Sequence, residues 1–169
     1  MKNIKIYYEH NIDEESRKIV RNTITNTFTL GILEGQLDID IEKTYNKSRE
    51  QYNAEKILEM ALNKYSGRPI LVIVPWDIYV PGLNFVFGVA IPNGGAVIGL
   101  ERFRWGGGYV ERVIKTVRHE LGHVFGLRHC NNPCVMRFAN SLMELDQKPM
   151  DFCEKCRNKL KIFGVLKES

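Results

Sequence analysis

HELGHVFGLRHC, residues 119–130, contains three of the chain's four histidines and the first of its four cysteines. On a helix, His119 and His123 are four residues apart, so their side chains lie about 40° apart in projection and one turn apart in height. Two imidazoles so placed can reach one ion. Glu120 comes next round the helix and can address a water on that ion without ligating it. Gly126 falls where the helix should end, because glycine accepts the left-handed conformation of such an ending. A turn there would bring His129 back as a third ligand. The competing reading is ordinary helix histidines grouped by chance. Five fixed positions on a helix with a suitable apolar face favour the metal site.

The residues before the motif support that helix. Val110, Val113, Ile114, Val117, Leu121 and Val124 recur on one face, and the spacing predicts a helix from Tyr109 to Phe125, separated from what precedes it by the glycines at 106–108. Those glycines are no phosphate loop, since no Gly-Lys-Ser/Thr follows. Further back, IKIYY (4–8) reads as a first strand. Residues 13–28 read as a helix capped by Asp13, with Ile19, Val20, Ile24 and Phe28 on one face. DIDIEKTY (38–45) alternates like a strand, and 53–65 keeps a helical period through Ile57, Leu58, Ala61, Leu62 and Tyr65. PILVIV (69–74) is continuously apolar, as a strand buried on both faces would be. FVFGVAI (85–91) and AVIGLERF (96–103) read as strands joined by the turn chemistry of PNGG. Beyond Gly126 the chain reads as irregular until a short basic helix near 153–163. This order predicts an α+β fold, an α/β sandwich with helices packed on a mixed sheet.

The chain of 169 residues suits one domain with a sizeable core. A single domain over 1–169 is expected, with residues 1–125 as the sheet-and-helix part and 126–169 as a C-terminal part. Hydrophobic residues at 44% and charged residues at 26% are ordinary for a soluble protein. The net charge of +4 is weak evidence for nucleic acid. MKNIKIYYEHNIDEE does not read as a signal peptide, and no apolar run is long enough to span a bilayer. The protein is therefore expected in the cytoplasm, where clustered cysteines more often hold metal than form disulfides.

Three neutral imidazoles leave the fourth position of a tetrahedral zinc open, as catalysis requires. Zinc lowers the pKa of a bound water and polarises a carbonyl, and Glu120 would take the proton and pass it to a leaving amine. His119-Glu120-x-x-His123-x-x-Gly126-x-x-His129 fits the metzincin pattern of zinc peptidases. Metzincins place a methionine in a tight turn under the zinc, and Met136 is the candidate. Some carry a tyrosine two residues further on. Phe138 stands there and can neither ligate nor donate a hydrogen bond, so the oxyanion-stabilising group is not named by the sequence.

Cys130, Cys134, Cys153 and Cys156 form two short-spaced pairs. Four thiolates would close a zinc shell and make a structural site, pinning His129 to the C-terminal helix. Two disulfides or free core thiols are the alternatives. HELGHVFGLRHC, then CVM, then CEKC, resembles the archaemetzincins, metzincin-like proteins of archaea, some bacteria and animals. The resemblance implies catalytic zinc at His119, His123 and His129, Glu120 as general base, and structural zinc at the four cysteines. The motif spans 119–156, and the layout upstream is compatible. One departure is the loop NNP, three residues between Cys130 and Cys134 where family members are expected to have four.

In peptidases of the kind this chain resembles, substrate adds as an extended strand along a sheet edge. VIGLERF (97–103) is the expected edge strand above the cleft, and WDIYVPGLNF (76–85) a candidate wall. Arg102, Arg104, Arg112, Lys115 and Arg118 read as a solvated face in preference to a receptor for acidic peptides. His10 reads as a surface residue. The expected partner is a short peptide substrate, with the protein a monomer. Two rivals stand beside this reading. One is a non-hydrolytic zinc protein that binds peptides or a partner in the same cleft, which would not need Glu120. The other is a nucleic-acid module on the basic stretch Lys155–Lys161, disfavoured because Phe152 and Phe163 are expected to face the core.

Overall fold

The computed structural model describes residues 2–167. The elements in chain order are β1 (Asn3–Tyr8), α1 (Glu14–Thr27), β2 (Gly31–Gln36), β3 (Tyr45–Asn46), β4 (Gln51–Asn53), α2 (Ala54–Lys64), β5 (Ile70–Val74), β6 (Ile78–Tyr79), β7 (Gly88–Ile91), β8 (Gly95–Gly99), α3 (Tyr109–Val124), α4 (Leu142–Gln147) and α5 (Glu154–Ile162). The main sheet has the order β2-β1-β5-β8-β7, and a small sheet has the order β3-β4-β6. Every pairing in the main sheet is parallel except that of β7 with β8. This is the mixed α/β architecture expected.

β5 runs through the centre, and each of its five residues is fully buried. Full burial of one such side chain contributes about 1.5–3 kcal/mol relative to exposure. Alternation divides the sheet residues between two cores. Ile4, Ile6, Leu71, Ile73, Ala96 and Ile98 pack with α1 and α3, while Tyr7, Ile70, Val72, Val74 and Val97 pack with α2. Asp13 caps α1 by accepting from the Ser16 amide at 3.3 Å, and Asn53 caps α2 by accepting from the Lys56 amide at 3.1 Å.

Several expectations need correction. Residues 38–45 are not a strand: Ile41–Thr44 form a 3-10 turn, and only Tyr45 begins β3. Ile39 and Ile41 alternate because they pack against the core beside α2, not because they lie in a ladder. The strand β2 had gone unread. It is a sheet edge with a mostly half-exposed or exposed pattern and two glycines, so it carries little apolar signal. Residues 97–103 do not form the edge: β8 lies between β5 and β7, its residues 95–99 are all buried, and Glu101–Arg104 turn into a 3-10 helix. The edge strand beside the cleft is β7. On α3, Val110 is exposed and Ile114 only packs on the rim of the core.

Four of the basic residues before the motif, Arg102, Arg112, Lys115 and Arg118, are buried or half-buried staples and not a solvated face, whereas Arg104 stays exposed as expected. Arg102 forks onto Asp77 at 2.8 and 2.9 Å, and Arg112 onto Asp146 at 2.9 and 2.9 Å. Lys115 donates to the carbonyls of Leu145 and Asp146, both at 3.0 Å, so α3 holds α4 by its backbone. Arg118 donates to Thr27 Oγ1 and to the Met150 carbonyl, both at 2.9 Å. Arg104 donates to Asp13 at 2.9 Å. α4 itself was read as irregular chain. Its signal is the pair Ser141 and Glu144: Ser141 Oγ accepts from the Glu144 amide at 3.1 Å, and Glu144 accepts from the Asn140 amide at 3.0 Å. Phe152 faces the core as expected, whereas Phe163 is half-exposed.

Candidate active site

The end of α3 is closed by two hydrogen bonds. The Gly126 amide donates to the His123 carbonyl at 3.0 Å and the Leu127 amide to the Gly122 carbonyl at 2.9 Å. Gly126 has φ +100°, the left-handed turn that this paired closure requires. The chain reverses there and brings His129 to His119 and His123. One nitrogen from each of the three imidazoles lies within 4.8 Å of the others.

Backbone carbonyls set the rings. His119 Nδ1 lies 2.8 Å from the Val135 carbonyl and His123 Nδ1 lies 2.8 Å from the Leu127 carbonyl. With each Nδ1–H donating to its carbonyl, both Nε2 lone pairs point to a common centre. Those two Nε2 atoms are 3.1 Å apart. A tetrahedral zinc with Zn–N distances of about 2.0–2.1 Å would space two ligand nitrogens by about 3.3 Å. The donor set and its spacing therefore fit zinc. Burial, with Lys148 adding to it, holds His119 well below the ordinary imidazole value; burial likewise lowers His123 and His129. All three are neutral at pH 7, the form that ligates.

A tight turn lies under the site. The Arg137 amide donates to the Cys134 carbonyl at 3.0 Å, enclosing Val135 and Met136, and the Met136 carbonyl accepts from the Cys130 amide at 3.0 Å. Met136 is fully buried. Its Sδ sits so close to Gly122 that a Cβ there would lie 2.5 Å away. The same turn supplies the Val135 carbonyl that orients His119. Phe138 projects beyond it, half-exposed, with its ring centroid 5.2 Å from that of His129.

The four cysteines also converge, with all four Sγ atoms within 4.8 Å of one another. Cys130 Sγ and Cys153 Sγ are 3.8 Å apart. That matches the edge of a tetrahedron with Zn–S bonds of about 2.3 Å, and it is far beyond the roughly 2.0 Å of a disulfide. The amides of Cys153 and Met136 donate to Cys134 Sγ at 3.2 and 3.4 Å, as suits a thiolate. This cluster ties the segment that carries His129 to the start of α5.

A cleft of about 680 Å³ runs past the histidines and Glu120, between residues 82–90 on one side and residues 138–148 on the other. The segment expected as a wall thus contributes Gly82, Leu83, Asn84 and Phe85. Trp76 instead stacks on Tyr52, with ring centroids 4.3 Å apart. Glu120 is buried, and its Oε2 has no hydrogen-bond partner among the described residues. Burial pushes its carboxyl up to about 8, against the opposing charge of Lys148. Lys148 itself is buried and is lowered to about 8, burial outweighing the pull of Glu120. Sequence reasoning missed Lys148, because it follows the unread helix α4.

A parallel sheet with one antiparallel edge strand above a His-Glu-x-x-His helix, a third histidine past a glycine turn, and a buried methionine beneath define a class: the metzincin-like zinc metallopeptidases. Comparison with known proteins narrows it. The model of peptidase family M54 matches residues 3–162. The archaemetzincin of Nanoarchaeum equitans is 42% identical over 137 residues, covering 81% of this chain and 78% of its own. The archaemetzincin of Archaeoglobus fulgidus is 38% identical, and its crystal structure superimposes with a TM-score of 0.82 over 94% of this chain and 99% of that one. The archaemetzincin structure from Methanopyrus kandleri gives a TM-score of 0.83 at 32% identity, over 95% of this chain and 96% of that one. The chain belongs to peptidase family M54, the archaemetzincins, and is a zinc metallopeptidase.

Proposed function

We propose that the cleft hydrolyses short peptides, with zinc held by His119, His123 and His129 and with Glu120 as general base. When bound, that zinc supplies a Lewis-acid centre, polarising the peptide carbonyl and acidifying a water. Glu120 takes the water's proton and passes it to the leaving amine. Its orphaned, desolvated carboxylate is strongly basic for such a group, and the positive charge beside it favours the ionised form that must accept the proton. Phe138 contributes an apolar wall beside His129 and no proton. Cys130, Cys134, Cys153 and Cys156 hold a second, structural zinc, and Met136 supports the first from below. Substrate lies extended along β7, which has β8 on one side and the cleft on the other; its backbone groups can pair with a peptide strand.

The observation that carries this reading is the convergence of three imidazoles in an open cleft beside a buried glutamate whose Oε2 has no hydrogen-bond partner among the described residues. Residues 1–169 act as one peptidase domain, a cytoplasmic monomer that takes peptides and not nucleic acid. Among the described residues, no helix is long and apolar enough to cross a membrane. The test is cleavage of a diverse peptide mixture by zinc-loaded protein, read by mass spectrometry beside Glu120→Ala. Products from the wild type alone establish the reading. Products from both, or from neither with both zinc sites filled, contradict it.

A further inference from the structure

The cleft contains polar groups whose hydrogen-bonding capacity the hydrolytic chemistry leaves unspent. Thr116 is 4% exposed, lines the cleft, and its Oγ1 has no hydrogen-bond partner among the described residues. It lies one helical turn before Glu120, on the same face of α3. Lys148 is 7% exposed and lines the same space. Its Nζ donates to the Arg137 carbonyl at 3.0 Å. It also lies 3.2 Å from His119 Nδ1, but that nitrogen gives its own proton to the Val135 carbonyl and cannot accept another. Among the described residues no carboxylate pairs with Lys148. Two of its three N–H donors are therefore unspent, and an unspent threonine hydroxyl belongs to the lining of the same cleft. Leaving such donors unpaired in a buried site is costly. Glu120 is the only acidic residue lining the cleft among those described.

We propose that Thr116 and Lys148 form a carboxylate receptor in the cleft, selecting the substrate residue whose amine becomes the leaving group. This rests on the peptidase reading above. Glu120 must reach that amine to return the proton, so the residue bearing it lies beside Glu120, where Thr116 and Lys148 also face the cleft. A carboxylate there accepts from the Lys148 ammonium and the Thr116 hydroxyl and completes both. It comes from the side chain of Asp or Glu, or from the free C-terminus of the substrate.

The experiment has a binding arm and a cleavage arm. Matched peptides carrying Glu, Gln or Lys at that position, each with a free or amidated C-terminus, are titrated calorimetrically into the zinc-loaded Glu120→Ala protein. The same peptides are offered to the active enzyme. Carboxylate-bearing peptides should bind and be cut at least tenfold better than Gln or amidated ones. Lys148→Met should abolish that preference, Lys148→Arg should keep it, and Thr116→Val should weaken it several-fold. The amidated series tells a side-chain carboxylate from a terminal one. An active enzyme without the preference, or a preference that survives in a folded Lys148→Met protein, overturns the receptor and leaves the peptidase reading intact. If no peptide is cut, the peptidase reading fails, and the binding arm still decides the receptor by the same two results.

Discussion

Glu120, on α3, lies against Gly88 of β7, with one carboxylate oxygen unpartnered among the described residues and its carboxyl pushed up to about 8 by burial. In the metal-free protein its folded pKa lies above the ordinary 4.5, so the native state binds the extra proton between those values. Stability from this group is fully present below about pH 4.5 and is lost as pH rises through 8. Metal-free Glu120→Gln should therefore be more stable than metal-free wild type at pH 9, by about 2–5 kcal/mol, with the gap closing toward pH 4.5. Urea melts at the two pH values measure it; an equal gap at both would refute the burial account. Gly122 offers a second test. A Cβ there meets Met136 Sδ at 2.5 Å and its methyl at 3.0 Å. Gly122→Ala should cost about 1–3 kcal/mol despite alanine's better helix propensity, and a thermal melt of the metal-free protein checks it. The three histidines and Glu120 were legible because helical geometry relates 119, 120 and 123 and Gly126 marks the turn that returns 129. Gly122, Thr116 and Lys148 were not, since their significance comes from neighbours distant in the chain.

The segment after α3 holds few regular elements, and its order depends on ties. Cys134 and Cys156 are buried, and the cluster links the His129 segment to α5. Structural zinc in so sparse a region supplies folding free energy directly. Cys156→Ser should lower the zinc content by one equivalent, reduce the melting temperature, and open residues 128–153 to limited proteolysis. Unchanged proteolysis with one zinc lost would show that packing alone holds the segment. α3 was readable from its apolar face and its glycine terminator. α4 was not: it has six residues and one buried side chain, Leu145, so no periodicity can mark it. Only its capping pair betrays it, and α3 holds it through Arg112 and Lys115.

Across the molecule, the sheet places the chemistry. A central strand buried on both faces was recognisable as continuous apolar sequence, and the hairpin from its turn residues. Which strand forms the edge was not, because β7 and β8 are similarly apolar and strand order is set by pairings between distant segments. The half-exposed edge β2 was missed for the opposite reason, a lack of apolar signal. The outcome is one cleft between β7 and the segment leading to α4, with one metal-binding cluster open to it and a second closed behind it. The central claim is that these two clusters hold zinc separately, one for catalysis and one for structure. The measurement that tests it most directly is the zinc content per chain of the wild type and of His123→Ala. Two equivalents are expected in the wild type and one in His123→Ala, with the variant folded and inactive. One equivalent in both, or loss of both zincs in His123→Ala, would contradict it.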